Sequence, residues 1–367
     1  MSGTPTREAP ARDEVVRISR GHEHRILLMS GMKQIARAVG SGFGPRRGPA
    51  LEGRGQEVML LRDGAAIAAA LVLDEPVEEL GAEILRAVGR GVAAEAGDGT
   101  STAILLADQV YRRAVRAITA GAEPQEVGRG MVLATQLALV ALVEQTRTAT
   151  EPDLLAVATL AAGGDRSLGE LAVKAVLQGA DLAVVAREDT LGDRLGRRPR
   201  DTGAGAPPSS EAPERVVILA GGATAAEASR RKVLAEKAVA AVVAARSRGV
   251  VAGGGLAYLR AAGELASMAG AGDRAEGWNA VRRALEQPLR QLAANAGEVP
   301  RRAVDVVTEG GCNRCLDAFT GALVEPTAAG ILDAVGTLET ALRHAASLAR
   351  LLACCEVAIA IGAETRR

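Results

Sequence analysis

Aromatic side chains are nearly absent from this sequence: 367 residues carry two Phe, two Tyr and one Trp. They are Phe43, Phe319, Tyr111, Tyr258 and Trp278. So few rings speak against a base-stacking surface for single-stranded nucleic acid. Net charge is absent as well, since 44 Lys and Arg balance 44 Asp and Glu. No overall field is left to hold a nucleic-acid backbone or an anionic membrane surface. Cysteine is scarce, with Cys312, Cys315 and the adjacent Cys354 and Cys355 making up the four. That is a poor disulfide framework for a chain this long, and it fits a reducing compartment. Residues 1–15 lack the apolar stretch of a secretory signal, and no window reads as long and apolar enough to span a bilayer. The protein is therefore expected to be cytoplasmic, with neither nucleic acid nor membrane as a partner.

What is present is aliphatic. Hydrophobic residues make up 48% of the chain, and a core built from Ala, Val, Leu and Ile favours helices over sheets. The length allows two or three structural units. Leu28, Met32, Ile35 and Val39 form one helical stripe, which Gly40, Gly42, Gly44 and Pro45 end. Residues 56–61 read as a short strand before the turn Asp63-Gly64. Val77, Leu80, Ile84, Val88 and Val92 then mark a second helix that stops at Gly97. A third helix is predicted over 103–121, further helical stretches over 129–145 and 151–178, and a buried strand over 182–186. Residues 190–214, rich in Gly, Pro, Ser and Arg, lose all periodicity and predict a linker or flexible loop. A strand over 215–219 and an Ala/Val-rich helix over 225–248 follow. Gly253-Gly254-Gly255 then opens a helix that ends near Gly270. Thr337 is the expected N-cap of a helix carrying Leu338, Leu342, Ala345, Ala349 and Leu352, and Val357, Ile359 and Ile361 alternate as a strand.

The sharpest chemical feature is Gly97-Asp98-Gly99-Thr100-Ser101-Thr102, which joins two patterned helices. Glycines let a backbone approach a phosphate, first-turn N–H groups point at it, and the three hydroxyls add donors. Asp98 suits the magnesium that accompanies a nucleotide, because a hard cation takes carboxylate oxygen. The hexapeptide also fits a plain helix start with a small-residue turn, and it is not a Walker A loop, since no Gly-Lys-Ser/Thr follows. Gly253 to Gly255 is a second place for close backbone approach, or simply a tight turn. Cys312 and Cys315 have the gap of a zinc or redox pair but no second Cys/His pair at a suitable spacing. His22 and His24 read as exposed at a helix start, His344 as a packing residue, and Cys354 and Cys355 as buried helix positions.

In order and spacing, several segments together resemble the group I chaperonins, the GroEL type. They are GFGP at 42–45, RDG at 62–64, AGDGTST at 96–102, TAGAEPQEVGRGM at 119–131, GVVAGGG at 249–255, DAFT at 317–320 and GILD at 330–333. The resemblance implies a mainly α, multihelical fold like the family's equatorial domain, with small β hairpins. Residues 1–147 and 249–367 would form that domain. Residues 148–189 and 215–248 would form a reduced α+β intermediate domain that closes over ATP. The linker at 190–214 stands where the family inserts its client-gripping apical domain, so no apical domain is expected. ATP and Mg2+ are the implied cofactors. Gly42, Phe43, Gly44 and Pro45 would lie along the phosphates, near Arg62; Asp98 would take the metal, and Gly99, Thr100, Ser101 and Thr102 the phosphate oxygens. Gly254 and Asp333 would meet the sugar, with Asp317, Ala318 and Phe319 near the base. Asp63 matches an acidic residue of the family near the terminal phosphate, the implied catalytic group.

The departures matter for activity. The family carries an aspartate on the intermediate-domain helix where this chain has Lys237, and an ammonium cannot accept a proton from attacking water. Glu236 is turned about 100° away around the helix. The family's TLGP and NAAT are here GFGP and DAFT. The expectation is a chaperonin-like ATP-binding protein connected with protein folding, with weak hydrolysis and no client-binding domain of its own. The alternative is a nucleotide-binding regulatory or scaffold subunit of a ring. Strands near residues 14–18 and 357–361 would serve self-assembly, either as a homo-oligomer or in a mixed ring with a full-length chaperonin.

Overall fold

The computed structural model describes residues 14–45, 50–54, 57–61, 63–179, 182–188, 192–199, 214–268 and 270–363. In chain order the elements are β1 (Glu14–Arg20), α1 (Gly21–Ser41), the hairpin β2 (Ala50–Arg54) and β3 (Glu57–Leu61), α2 (Gly64–Ala70), α3 (Pro76–Ala96), α4 (Thr100–Thr119) and α5 (Pro124–Glu144). Next come α6 (Glu151–Ala161), α7 (Arg166–Gln178), β4 (Leu182–Glu188), β5 (Arg194–Pro199), β6 (Glu214–Gly222), α8 (Ala225–Arg248) and β7 (Val250–Ala252). The chain closes with α9 (Leu256–Ala266), α10 (Asp273–Ala284), α11 (Gln287–Ala296), α12 (Pro300–Glu309), β8 (Cys315–Leu316), β9 (Leu323–Val324), β10 (Leu332–Ala334), α13 (Val335–Ala353) and β11 (Val357–Ala363).

Local chemistry sets the helix ends. α3 starts with a Pro in its first turn behind Glu75, whose carboxylate accepts the Glu78 N–H at 2.6 Å. α5 repeats the device, with Glu123 accepting from Gln125 and Glu126. Such side chains satisfy first-turn donors that no helical carbonyl reaches.

One large apolar cluster joins both halves of the sequence. Leu28, Met32 and Ile35 of α1, Ile104 and Tyr111 of α4, and Met131 of α5 share it with Tyr258 of α9 and Leu342 of α13. With few rings available, it is filled by small aliphatic groups, and the helices come very close. A Cβ on Gly130 of α5 would lie 1.9 Å from Arg274 O, and one on Gly277 of α10 would lie 1.8 Å from Val127 O. Gly31 of α1 and Gly81 of α3 make the same kind of reciprocal contact. A second cluster packs α6, α7 and α8 against the sheet β4-β6-β5, in which β4 and β6 run parallel and β5 antiparallel to β6. The first and last described strands meet, β1 and β11 pairing antiparallel from Glu14 opposite Ala363 to Arg20 opposite Val357.

Several sequence readings need correction. The stretch 151–178 is two helices, because Gly163 and Gly164 adopt left-handed backbone with φ of +70° and +92°. Within 190–214, Arg194–Pro199 is a strand: its ladder to β6 satisfies its backbone whatever its composition. Thr337 lies inside the first turn of α13, and the N-cap position belongs to Ala334. His24 is buried and bonds Cys355 O at 2.9 Å, whereas Cys355 itself is exposed. His344 faces outward enough to bond Glu95 at 2.9 Å. The span Pro124–Glu144 does meet the length and apolarity of a bilayer-crossing helix, and 44% of its qualifying window is buried within this fold.

Candidate functional site

Segments far apart in sequence meet around one cavity of about 350 Å³. The loop after α1 forms one wall. Its Gly42 and Phe43 N–H groups donate to Val39 O and Gly40 O, each at 3.1 Å. Asn295 of α11 clamps the loop, donating from Nδ2 to Gly40 O at 2.8 Å and Phe43 O at 2.7 Å, and Gln291 adds a 3.0 Å bond to Gly40 O. Gly44 is left-handed at φ +92°, a conformation that side chains disfavour, and a Cβ there would also press on Leu292 Cδ2 at 2.5 Å. Pro45 follows it on the cavity rim.

The turn from α3 to α4 forms the second wall. Gly97 ends α3 and Gly99 starts α4, both left-handed at φ +69° and +88°, a conformation that side chains disfavour. No side chain caps α4, which leaves the positive end of a 20-residue helix for an anion. Asp98, Gly99, Thr100, Ser101 and Thr102 all line the cavity. So does Thr337, which is buried and whose Oγ1 has no hydrogen-bond partner.

The third wall comes from Gly254, before α9, and from Asp317, Ala318, Phe319 and Asp333. The Asp317 carboxylate is occupied within its own turn, accepting the Phe319 N–H at 2.8 Å and the Thr320 hydroxyl at 2.7 Å. Asp333 sits on β10 opposite Val251 of β7. Burial, with a lesser contribution from Asp98, pushes its carboxyl up from 3.8 to about 7. The folded state therefore keeps a proton that the unfolded chain sheds near pH 4, and stability falls as pH rises from about 4 to 7. Asp333→Asn removes the buried charge. It is expected to raise the melting temperature at pH 8 by roughly 1–2 °C, the effect of about 1 kcal/mol in a chain of 367 residues, and by less at pH 5, where only part of the penalty is present. Scanning calorimetry at both pH values checks this, and an equal shift at both would contradict it.

The fourth wall is α8, with α6 beside it. Lys237 of α8 donates from Nζ to Asp63 Oδ1 at 2.5 Å and stands 4.0 Å from Asp98 Oδ1. Burial alone would lower its pKa, but Asp98 and Asp63 outweigh that and hold the ammonium above its ordinary value. Asp63 also caps α2, its Oδ2 accepting the Ala65 and Ala66 N–H groups at 3.0 and 3.3 Å. Glu236 turns to Lys232 at 3.6 Å, away from this cluster as its helical position requires.

Of the residues that the resemblance assigned to the nucleotide, its metal and its hydrolysis, all but two line this cavity. Asp63 reaches it through Lys237, and Arg62 lies outside the described residues. Nothing along the chain points to the Asn295 clamp or to the apolar lining of Val157, Leu160 and Leu234 from α6 and α8, and Thr337 shows there only as a helix cap. Cys312 and Cys315 are free thiols away from this lining, and burial raises Cys315 to about 11. Among the described residues no group of three His, Cys, Asp or Glu is placed to hold a metal.

Comparison with known proteins finds relatives of this chain. A stretch of 160 residues is 35% identical to "Chaperonin GroEL 1" of Synechococcus sp. (strain CC9605), covering 43% of this chain and 29% of that protein. A stretch of 153 residues is 31% identical to "Chaperonin CPN60, mitochondrial" of Euglena gracilis, covering 41% of this chain and 27% of the relative. The matched part is thus less than a third of either relative's length. The model of the TCP-1/cpn60 chaperonin family matches residues 35–202 and 202–359, nearly the whole described fold. By that match, this chain belongs to the TCP-1/cpn60 chaperonin family.

Proposed function

We propose that this chaperonin-family chain is an ATP-binding protein connected with protein folding, and that it turns the nucleotide over slowly. The reading is carried by one observation: a glycine-lined loop, an uncapped helix start and the unpartnered Thr337 hydroxyl all border one cavity. Gly42 to Pro45 and the first turn of α4 would hold the phosphates, Gly254 and Asp333 the sugar, and Ala318 and Phe319 the base. Asp317, turned into its own loop, would shape that end of the pocket rather than bond the ligand. Asp63 would be the acidic group nearest the terminal phosphate. Slow turnover follows from Lys237, which cannot act as a base toward water.

The metal is a different matter. Magnesium would supply charge neutralisation of the phosphates, but the carboxylates suited to it, Asp63 and Asp98, already flank the Lys237 ammonium. The pair as it stands does not fit a divalent ion.

Only residues 189–213 separate β4 from β6, and β5 lies among them. That is fewer than the roughly 50 residues of a small domain, which supports a chain that does not grip unfolded clients at this point. Association with further copies, or with a full-length chaperonin in a mixed cytoplasmic ring, goes with this reading. The exposed Val16, Ile18, Ile359 and Ile361 on β1 and β11 suit such a contact. A regulatory or scaffold subunit without chaperone activity is the second reading, favoured by the same lysine.

Thr102→Glu tests the pocket. A carboxylate in the first turn suits a helix N-terminus, so α4 keeps its stability while the phosphate site becomes repulsive. Calorimetric titration is expected to show ATP binding weakened at least tenfold, more than about 1.4 kcal/mol, at an unchanged melting temperature. Equal affinity in the two proteins would remove the nucleotide from this cavity.

A further inference from the structure

Two carboxylates converge beside the uncapped start of α4, and a side-chain ammonium stands where an ion would. Lys237 Nζ is 2.5 Å from Asp63 Oδ1 and 4.0 Å from Asp98 Oδ1. The placement is built in from both sides. Asp63 is anchored by its other oxygen to the first turn of α2. Asp98 sits between Gly97 and Gly99, and Gly97 approaches Ala240, one turn along α8 from Lys237, so closely that a Cβ would lie 2.4 Å from its Cβ. The two acids and the lysine therefore come from three elements whose packing fixes the triad. The same cavity holds the buried, unpartnered Thr337 Oγ1.

We propose that Lys237 is the resident cation of this pocket, taking the place of a divalent metal, so that the nucleotide binds in its metal-free form. The second half rests on the nucleotide reading above. An ammonium has three N–H donors; Asp63 takes one, and the others are left for Asp98 and a phosphate oxygen. A divalent ion sharing the site would lie within a few ångströms of a like charge, with no water layer to screen the repulsion.

The test has two arms on the purified chain. In the first, ATP is titrated in EDTA and again in excess Mg2+, with wild type and Lys237→Asp. Wild-type affinity is expected to differ by less than about threefold between the two media, whereas Lys237→Asp loses at least about tenfold in EDTA. A wild type that depends on Mg2+ as strongly as Lys237→Asp would overturn the proposal. In the second arm, Mn2+ alone is titrated and followed by its electron paramagnetic resonance, with wild type and Lys237→Gln, which keeps the length of the stem without the charge. Wild type should leave Mn2+ free and Lys237→Gln should take up one ion. Equal uptake by both would show that Lys237 does not hold the cation's place. If neither protein binds ATP in either medium, the nucleotide reading and the metal-free form fall together, while the Mn2+ arm still decides the role of Lys237.

Discussion

Lys237→Asp is expected to raise ATP turnover by about 10²–10⁴-fold, the contribution of a positioned general base. The substitution removes two obstacles at once. In the native chain the group facing Asp63 and Asp98 is a proton-saturated ammonium, which cannot accept a proton from water. The same ammonium keeps those carboxylates from a divalent ion. An aspartate at this position of α8 restores an acceptor and clears the cation's place together. Phosphate release in the presence of Mg2+, followed for wild type, Lys237→Asp and Lys237→Gln, measures the effect. Lys237→Gln separates the contributions, because it clears the place without supplying a base, and should recover little of the gain. Turnover that stays at the wild-type level in Lys237→Asp, in a protein whose melting temperature shows it to be folded, would mean that Lys237 is not what limits hydrolysis.

Gly277→Leu should destabilise the fold by about 3 kcal/mol or more, at or beyond the upper end of overpacking substitutions. The reason is backbone against backbone. A Cβ at Gly277 would lie 1.8 Å from Val127 O, and the facing Gly130 is equally tight against Arg274 O at 1.9 Å. No side chain can rotate out of the way, so α5 and α10 must separate, and the cluster around Met131 and Val281 loses its packing. Gly263→Ala is the matching control. That residue is exposed within α9 and a Cβ there meets nothing within 4 Å, so alanine should stabilise by roughly 0.5–1 kcal/mol through lower helix-forming cost. Urea melts of the two variants check both signs. A Gly277→Leu protein as stable as wild type would show that the two helices are free to move apart.

Legibility in the sequence followed the strength of the pattern. The long helices α3, α4 and α8 repeat apolar groups on one face and are bounded by Gly, Pro or a capping side chain, so local chemistry alone outlined them. β2 and β5 went unread for the opposite reason. Each has one weak contact with an apolar cluster, Ala50 of β2 and Leu195 of β5, too little to make a pattern along the chain, and the strands exist because a neighbour offers a ladder of backbone hydrogen bonds. Thr337 was misread because a hydroxyl at a helix start ordinarily caps it. Here the helix begins earlier, straight out of β10, and the hydroxyl is left for the cavity. Lys237 was legible as an unusual residue type, yet its role was not: a lysine on a helix surface and one locked between two acids look the same along the chain.

The sequence by itself determined the mainly helical class, the aliphatic core and the glycine-rich turns, because periodicity, composition and backbone freedom act over a few neighbouring residues. Only the tertiary structure decided that α8 and α11 close on those turns, that Asn295 clamps the loop after α1, and that Lys237 sits between Asp63 and Asp98. Those contacts join residues from 139 to 255 positions apart, and such distances are fixed by how helices pack rather than by what any one of them prefers.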